Sequence, residues 1–323
     1  MIRIHIGLVN NMPDSALDLT ERQFRQLLED AAKVAGESLR VQLSLFALPN
    51  VPHSDEGKRR IASHYLSIKE LWNTSLDGLI VTGAEPLAAN LKDEPYWLDL
   101  SRLVDWAEHN TSSAVWSCLA AHAAMQHIEG IERRPLNRKL FGVYECSKVG
   151  KHFLTSGISS KVFVPHSRWN NLREEELIAG GYQVLTRSEK AGVDTFVRSN
   201  IESSKRSHFV FFQGHPEYES ASLLFEYRRD IHRFLRHQGD TYPTMPEGYL
   251  DESCIRELNA FRDRVLKDRR EESLADFPVA AAAFTVRNTW RPAAIKMYAN
   301  WLNFLCARKE RQWKQQSRVV ASK

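Results

Sequence analysis

The sequence predicts an α/β fold: a mainly parallel sheet flanked by helices, with a strand-rich insertion and a helical C-terminal extension. Three observations carry this expectation. Over residues 1–125, short alternating or apolar stretches take turns with stretches of helical spacing, an order that implies crossover connections between parallel strands. Two short apolar stretches, 113–117 and 208–213, run straight into residues able to do chemistry, as strands of a parallel sheet do at their carboxyl ends. Between about Leu140 and Val210 the pattern becomes one of repeated short strands.

In chain order, Arg3 to Val9 alternates apolar and polar residues and reads as the first strand. Asn10-Asn11-Met12-Pro13-Asp14 is a turn-rich loop. Leu19 to Ala35 has helical spacing, with Thr20 and Gln23 placed like a capping box. Val41 to Leu48 is a second strand, Pro49 to Lys58 a polar loop, and Ile61 to Leu71 helical. Asp77-Gly78-Leu79-Ile80-Val81-Thr82-Gly83 is a short buried strand ending in a glycine turn, and Trp97 to His109 is a helix. Ser113 to Ser117 is a strand that runs directly into Cys118 to Met125, helical by composition. Phe141–Tyr144, Val162–Val164, Tyr182–Thr186 and Thr195–Arg198 read as strands. His208 to Gln213 is one more buried strand, ending at Gly214-His215-Pro216-Glu217. Ala221 to His237 is a long amphipathic helix. Pro243 to Tyr249 and Pro278 to Thr285 are less regular, Leu250 to Asp276 is helical and charged, and Tyr298 to Ala307 is a terminal helix. These readings divide the chain into a catalytic domain over 1–240, an extension packing on it over 241–310, and a basic tail over 311–323.

Composition sets the outer bounds. The chain has 323 residues, 43% of them hydrophobic and 26% charged, an ordinary globular balance. With 44 basic and 40 acidic residues the formal charge is only +4, too small an excess to point to nucleic acid. The basic stretch Arg308 to Lys314 reads as a solvated tail. No apolar run approaches the roughly 18 residues of a membrane span. The short alternating N-terminus does not read as a secretion signal. The four cysteines, Cys118, Cys146, Cys254 and Cys306, are scattered with no C-x-x-C pair, which fits neither a zinc site nor a disulfide framework. A reducing cytoplasm is the expected home.

Four constellations carry chemistry. In Trp116-Ser117-Cys118-Leu119-Ala120-Ala121-His122 a cysteine falls at a strand–helix junction. A sharp turn there exposes the sulfur, the helix N-terminus favours thiolate, and the first helical N–H groups can hold an oxyanion. By position alone a buried structural cysteine is an equal alternative. Gln213-Gly214-His215-Pro216-Glu217-Tyr218 places a histidine and, two residues on, a carboxylate at the end of another buried strand; these are the base and orienting acid that a thiol nucleophile needs. A helix-capping histidine is the alternative. Pro165-His166-Ser167-Arg168-Trp169-Asn170 is a polar, aromatic cluster following a strand, suited to a substrate carrying a carboxylate or amine, or else an ordinary loop. Glu226-Tyr227-Arg228-Arg229-Asp230 offers an arginine that could clasp a carboxylate or simply face solvent.

Taken together these residues resemble the homoserine O-acyltransferase family, whose members are built on the flavodoxin-like class I glutamine amidotransferase fold. The matching stretches run nearly end to end. They are Asn11-Met12-Pro13, Thr20-Glu21-x-Gln23-Phe24, Asp77 to Ala84, Tyr96-Trp97, the Cys118 junction, Gly142-Val143-Tyr144-Glu145, Pro165 to Arg168, Gly214 to Tyr218, Glu226-Tyr227-x-Arg229-Asp230 and Asn300-Trp301-Leu302-Asn303. The resemblance implies a Cys118 thioester formed from an acyl-coenzyme A, His215 as general base and Glu217 as its partner. It further implies Lys139 as a substrate-contacting residue, Ser167 and Arg229 as homoserine-binding residues, ping-pong kinetics, a role in methionine biosynthesis and a homodimer. The substrates are then small molecules, with neither nucleic acid nor membrane involved. Acyl-coenzyme A acts as co-substrate, and no metal or redox cofactor is needed.

Two departures stand out. Many members carry Cys-Trp and then a Gln where this chain has Cys118-Leu119-Ala120-Ala121-His122. The family position that separates succinyl users (glycine) from acetyl users (glutamate) falls, by ungapped counting, on Leu87, with Glu85 nearby. Succinyl is favoured because no carboxylate occupies that position. Serine or another amino alcohol as acceptor stays open, as do a non-catalytic binding protein and a glutamine amidohydrolase, although the glycines that amidotransferases prefer around the cysteine are missing.

Overall fold

The computed structural model describes residues 2–198, 206–278 and 286–321. Among them a nine-stranded sheet forms the spine. Its strands are β1 (Ile2–Val9), β2 (Leu39–Phe46), β3 (Gly78–Val81), β4 (Ser113–Ser117), β5 (Arg134–Lys148), β6 (Lys161–Asn171), β7 (Tyr182–Ser188), β8 (Gly192–Arg198) and β9 (His208–Phe212), in the order β2-β1-β3-β4-β9-β8-β7-β5-β6. From β2 to β9 neighbours run parallel; from β9 to β6 they run antiparallel. The sheet is therefore mixed. Its parallel half comes from the alternating segments read in the sequence, and its antiparallel half from the strand-rich insertion.

Helices α1 (Leu17–Ala35), α2 (Asp55–His64), α3 (Ile68–Leu71), α4 (Trp97–Asn110), α5 (Leu119–Glu129), α6 (Glu174–Ala179), α7 (Ser222–Leu235), α8 (Glu252–Lys267) and α9 (Arg291–Ala321) cover the sheet. Because side chains alternate across a strand, each central strand feeds two cores. Ile80, Val115, Val210 and Phe212 face one side and pack with α1 and α9, among them Phe24, Tyr298, Trp301 and Leu305. Leu79, Val81, Ala114, Trp116, Phe209 and Phe211 face the other and pack with α4 and α5. A third cluster joins α7 and α8 to Phe141, Val143, Tyr249 and Trp290.

Several sequence expectations are corrected. Helix α1 starts at Leu17, with no side-chain cap. Thr20 and Gln23 are buried inside it, and Gln23 donates to Ser222 Oγ at 2.7 Å instead of capping. The capping box belongs to α3, between Ser67 and Glu70. The helix read over Ile61–Leu71 is broken: Leu66 bridges to Phe46 and donates its N–H to Leu45 O, so the backbone is extended between α2 and α3, and α2 itself begins at Asp55. The cluster from Pro165 to Asn170 lies within β6, not in a loop after it. A proline is tolerated there because β6 is the sheet edge and one side of its backbone needs no ladder partner. The terminal helix is far longer than Tyr298–Ala307. It runs from Arg291, and the Arg308 to Lys314 stretch continues it. Trp301 in this helix donates from Nε1 to Ser113 Oγ at 2.8 Å, so α9 belongs to the principal core. Residues 279–285 of the irregular stretch read over Pro278–Thr285 lie outside the described residues.

No helix among the described residues is long and apolar enough to cross a membrane. All four cysteines are free thiols.

Candidate active site

Strands β4 and β9 are parallel neighbours, in register from Ser113↔His208 to Ser117↔Phe212. Their carboxyl ends therefore deliver Cys118 and the 213–218 turn side by side. Cys118 has φ 51 and ψ −113, a backbone region costly for a side-chain-bearing residue. Its N–H donates to Phe212 O at 2.7 Å, which pins the junction to β9. Here is the elbow that the sequence placed at the strand–helix junction. Gly83, just past β3, makes room for it: a Cβ there would sit 2.5 Å from Leu119 Cβ and 3.0 Å from Leu119 N.

His215 is buried, and its side chain hydrogen-bonds that of Cys118. Its Nδ1 meets Glu217 Oε1 at 2.8 Å, its ring stacks on Tyr218 with centroids 4.2 Å apart, and its N–H donates to Pro165 O at 2.9 Å. With Nδ1 engaged by the carboxylate, Nε2 is left for the sulfur. Burial alone would depress the imidazole, but the sulfur and Glu217 outweigh it and hold its pKa well above the ordinary value. The group favoured is thus an imidazolium, set between the Cys118 sulfur and the Glu217 side chain. Glu217 Oε2 is buried without a hydrogen-bond partner.

A cavity of about 230 Å³ opens above this relay, and it contains most of the residues singled out in the sequence: Cys118, His215, Glu217, Lys139, Ser167 and Arg229. Lys139 Nζ lies 2.8 Å from Asp230 Oδ2 and 3.7 Å from Glu226 Oε2. Arg229 Nη2 lies 2.8 Å from Asp230 Oδ1 and 3.7 Å from Glu226 Oε2. Ser167 and Tyr218 both donate to Glu226. Burial would raise Asp230, yet Lys139 and Arg229 hold its carboxyl below the usual range. Glu226 and Asp230 are the site residues the sequence reading did not single out. They stood in the quoted Glu226 to Asp230 stretch, spaced i, i+3, i+4 with Arg229 on one face of α7, and that spacing was the available signal.

Arg168 was likewise read only as part of a cluster. It is buried, lines the cavity, and donates to His166 Nδ1 at 3.3 Å, Asn170 O at 2.6 Å, Asn171 Oδ1 at 3.1 Å and Ala191 O. Burial lowers its pKa to about 10 even though Cys118 and Asp194 oppose the shift. It therefore stays a cation in the cavity that Cys118 also lines. His122, four residues after Cys118, is neutral: burial drives it down to about 3, and it bonds Gln213 Oε1 at 2.9 Å as a framework residue.

Leu87 is the exception. Its side chain is 74% exposed and does not reach the cavity. The cause lies in its loop, where Glu94 Oε1 accepts the N–H groups of Leu87 (2.6 Å) and Ala88 (2.7 Å), fixing the backbone inward and turning the side chain out. Glu85 does line the cavity, locked to Arg233 at 2.8 and 3.0 Å. No group of three or more His, Cys, Asp or Glu side chains among the described residues is arranged to hold a metal ion.

A family model described as homoserine O-succinyltransferase matches residues 1–312. The chain belongs to the homoserine O-succinyltransferase family. A relative from Rhodopseudomonas palustris named homoserine O-succinyltransferase is 48% identical over 299 residues, covering 93% of this chain and 87% of that protein. One of the same name from Bradyrhizobium japonicum is 44% identical over 306 residues, covering 94% and 90%. Among solved structures, a glutamine amido transferase from Methylobacillus flagellatus is similar with a TM-score of 0.49 and 14% identity, covering 94% of each chain. A glutamine amidotransferase from Thermotoga maritima has a TM-score of 0.47 and 11% identity, covering 94% of this chain and 99% of its own.

Proposed function

We propose that this enzyme moves a succinyl group from succinyl-coenzyme A to the γ-hydroxyl of homoserine, through a thioester at Cys118, as a step toward methionine. The observation that carries the reading is the relay of a half-buried Cys118 with buried His215 and Glu217 at the floor of a cavity. The cavity wall adds an acid held by hydroxyls, Glu226, beside two cations, Lys139 and Arg229.

Each half-reaction follows from these groups. The Cys118 thiolate attacks the thioester carbonyl, and the C=O electron pair moves onto oxygen. That oxyanion meets the Leu119 N–H, which in the first turn of α5 has no intrahelical acceptor. The Cys118 N–H is already committed to Phe212 O, so the turn at Gly83-Ala84, beside Leu119, is the source of further donors. Collapse breaks the bond to the coenzyme A sulfur, which leaves with the proton of His215. Neutral His215 then takes the proton of the homoserine hydroxyl, the oxygen attacks the Cys118 thioester, and the thiolate departs. The thiolate–imidazolium pair is restored, and the cycle draws on no metal or redox cofactor. Glu217 keeps the ring oriented throughout. In this reading Glu226 takes the homoserine ammonium, and Arg229 with Lys139 takes its carboxylate, displacing part of their pairing with Asp230.

The reading includes a homodimer in a reducing cytoplasm, the former tested by light scattering. The main test is a matrix of donors (succinyl-, acetyl-coenzyme A) against acceptors (homoserine, serine) with purified protein, reading free coenzyme A, together with mass spectrometry of the chain after donor alone. Succinyl-coenzyme A with homoserine is expected to be fastest, and the acyl group is expected on Cys118, absent from Cys118→Ala. Turnover by Cys118→Ala at the native rate refutes the reading.

A further inference from the structure

Five cations line the cavity: Arg133, Lys139, Arg168, Arg229 and Arg233. Three face carboxylates within 4 Å: Lys139 and Arg229 on Asp230 and Glu226, and Arg233 on Glu85. Arg168 is sunk in the wall, with four of its five N–H donors spent on neutral acceptors. Arg133 differs from all of these. It is half-buried, and its Nη2 donates to Ala88 O at 3.0 Å and Ala89 O at 2.9 Å. Among the described residues no carboxylate stands within ion-pair distance, and Nε and Nη1, three N–H donors, have no partner. A guanidinium withdrawn from water normally finds an anion. Burial lowers the pKa of Arg133, with Tyr96 and Glu94 opposing only at longer range.

Its position adds to its charge. The two carbonyls that hold Nη2 belong to the loop after β3, whose N–H groups at Leu87 and Ala88 are held by Glu94 from the other side. Arg133 is thus fixed against a clamped loop, at the cavity, with its remaining donors unclaimed. This is also the loop to which sequence counting assigned donor choice, although its Leu87 side chain points to solvent.

We propose that Arg133 is the specificity residue for the acyl donor: its free N–H donors receive the terminal carboxylate of the succinyl chain. The inference rests on the acyl-transfer reading above. A succinyl group has a distal carboxylate and an acetyl group has none, so the contact distinguishes donors without touching the reacting carbonyl.

The test is single-turnover acylation of Cys118, followed by the mass of the acylated chain, with succinyl-, butyryl- and acetyl-coenzyme A. Butyryl has the chain without the carboxylate. Arg133→Gln is expected to slow acylation by succinyl-coenzyme A about tenfold or more, the worth of one charged hydrogen bond, and to leave butyryl and acetyl rates within about threefold. Arg133→Lys is expected to recover part of the succinyl rate. A uniform loss across the three donors overturns the proposal, because a loop clamp or a contact with coenzyme A phosphate has that signature. An unchanged succinyl rate overturns it as well. If the native chain is not acylated by succinyl-coenzyme A, the acyl-transfer reading itself falls; native acylation with a uniform loss in the variant removes Arg133 alone.

Discussion

Glu217→Gln isolates the charge of the acid behind His215. The His215–Glu217 contact is 2.8 Å long, and both side chains are under 10% exposed, so solvent screens it little. Glutamine keeps the shape and an oxygen acceptor for Nδ1–H, but not the charge. A hydrogen bond to a charged group contributes about 1.5–3 kcal/mol net and a neutral one about 0.5–1.5, so the substitution costs about 1–1.5 kcal/mol of imidazolium stabilisation. That is about one pH unit and about tenfold in rate. The sign follows from the site. Glu217 and the Cys118 sulfur raise His215, while burial lowers it. Removing one anion lets burial gain ground, so the imidazolium loses its proton at lower pH. The alkaline limb of kcat/KM for the acyl donor is expected to move down by about one unit, with kcat/KM near neutrality down about tenfold. The same sign governs stability. A raised His215 stabilises the fold below its unfolded-state value, and that stabilisation is lost as pH rises through the folded one. In the variant the loss comes earlier on the alkaline side. A pH–rate profile with the native alkaline limb and a rate within twofold of native refutes the role given to Glu217.

Two further predictions come from other parts of the site. Glu226→Gln is expected to raise KM for homoserine about tenfold or more while single-turnover acylation of Cys118 keeps its native rate, since Glu226 bonds Ser167 and Tyr218 in the acceptor part of the cavity and does not touch the sulfur; acylation that slows in parallel counts against it. Gly83→Ala is expected to lower the thermal midpoint and kcat together. Its new methyl would lie 2.5 Å from Leu119 Cβ, and overpacking of this kind costs about 1–3 kcal/mol while displacing the Leu119 N–H; native stability and kcat would show that the elbow tolerates the displacement.

How much was legible depended on where the information lay. Cys118, His215 and Glu217 were visible because each follows a short buried strand, and a parallel sheet gathers the ends of such strands into one place. The register Ser117↔Phe212 that makes β4 and β9 neighbours is a long-range fact, and the sequence only implied it. Lys139, Ser167 and Arg229 were carried by resemblance, and the fold brings all three to one cavity. Pro165 to Asn170 was placed after a strand, with a loop as the alternative, because polar residues and a proline hide a strand at a sheet edge. Counting put Leu87 at the acyl-specificity position, and its side chain faces solvent, because counting residues ignores what the backbone of a loop bonds to.

The sequence by itself determined the strand–helix alternation and the place of Cys118 at a strand–helix junction, because both are local: periodicity and a sharp turn between elements adjacent in the chain. Only the tertiary structure decided which charges neutralise one another. Lys139 from β5, Glu226, Arg229 and Asp230 from α7, and Ser167 from β6 meet across the cavity, while Arg133 meets only backbone carbonyls. Such pairing depends on distances of a few ångströms between groups far apart in sequence, and on how much water the fold removes from around them, neither of which is written in any single stretch of the chain.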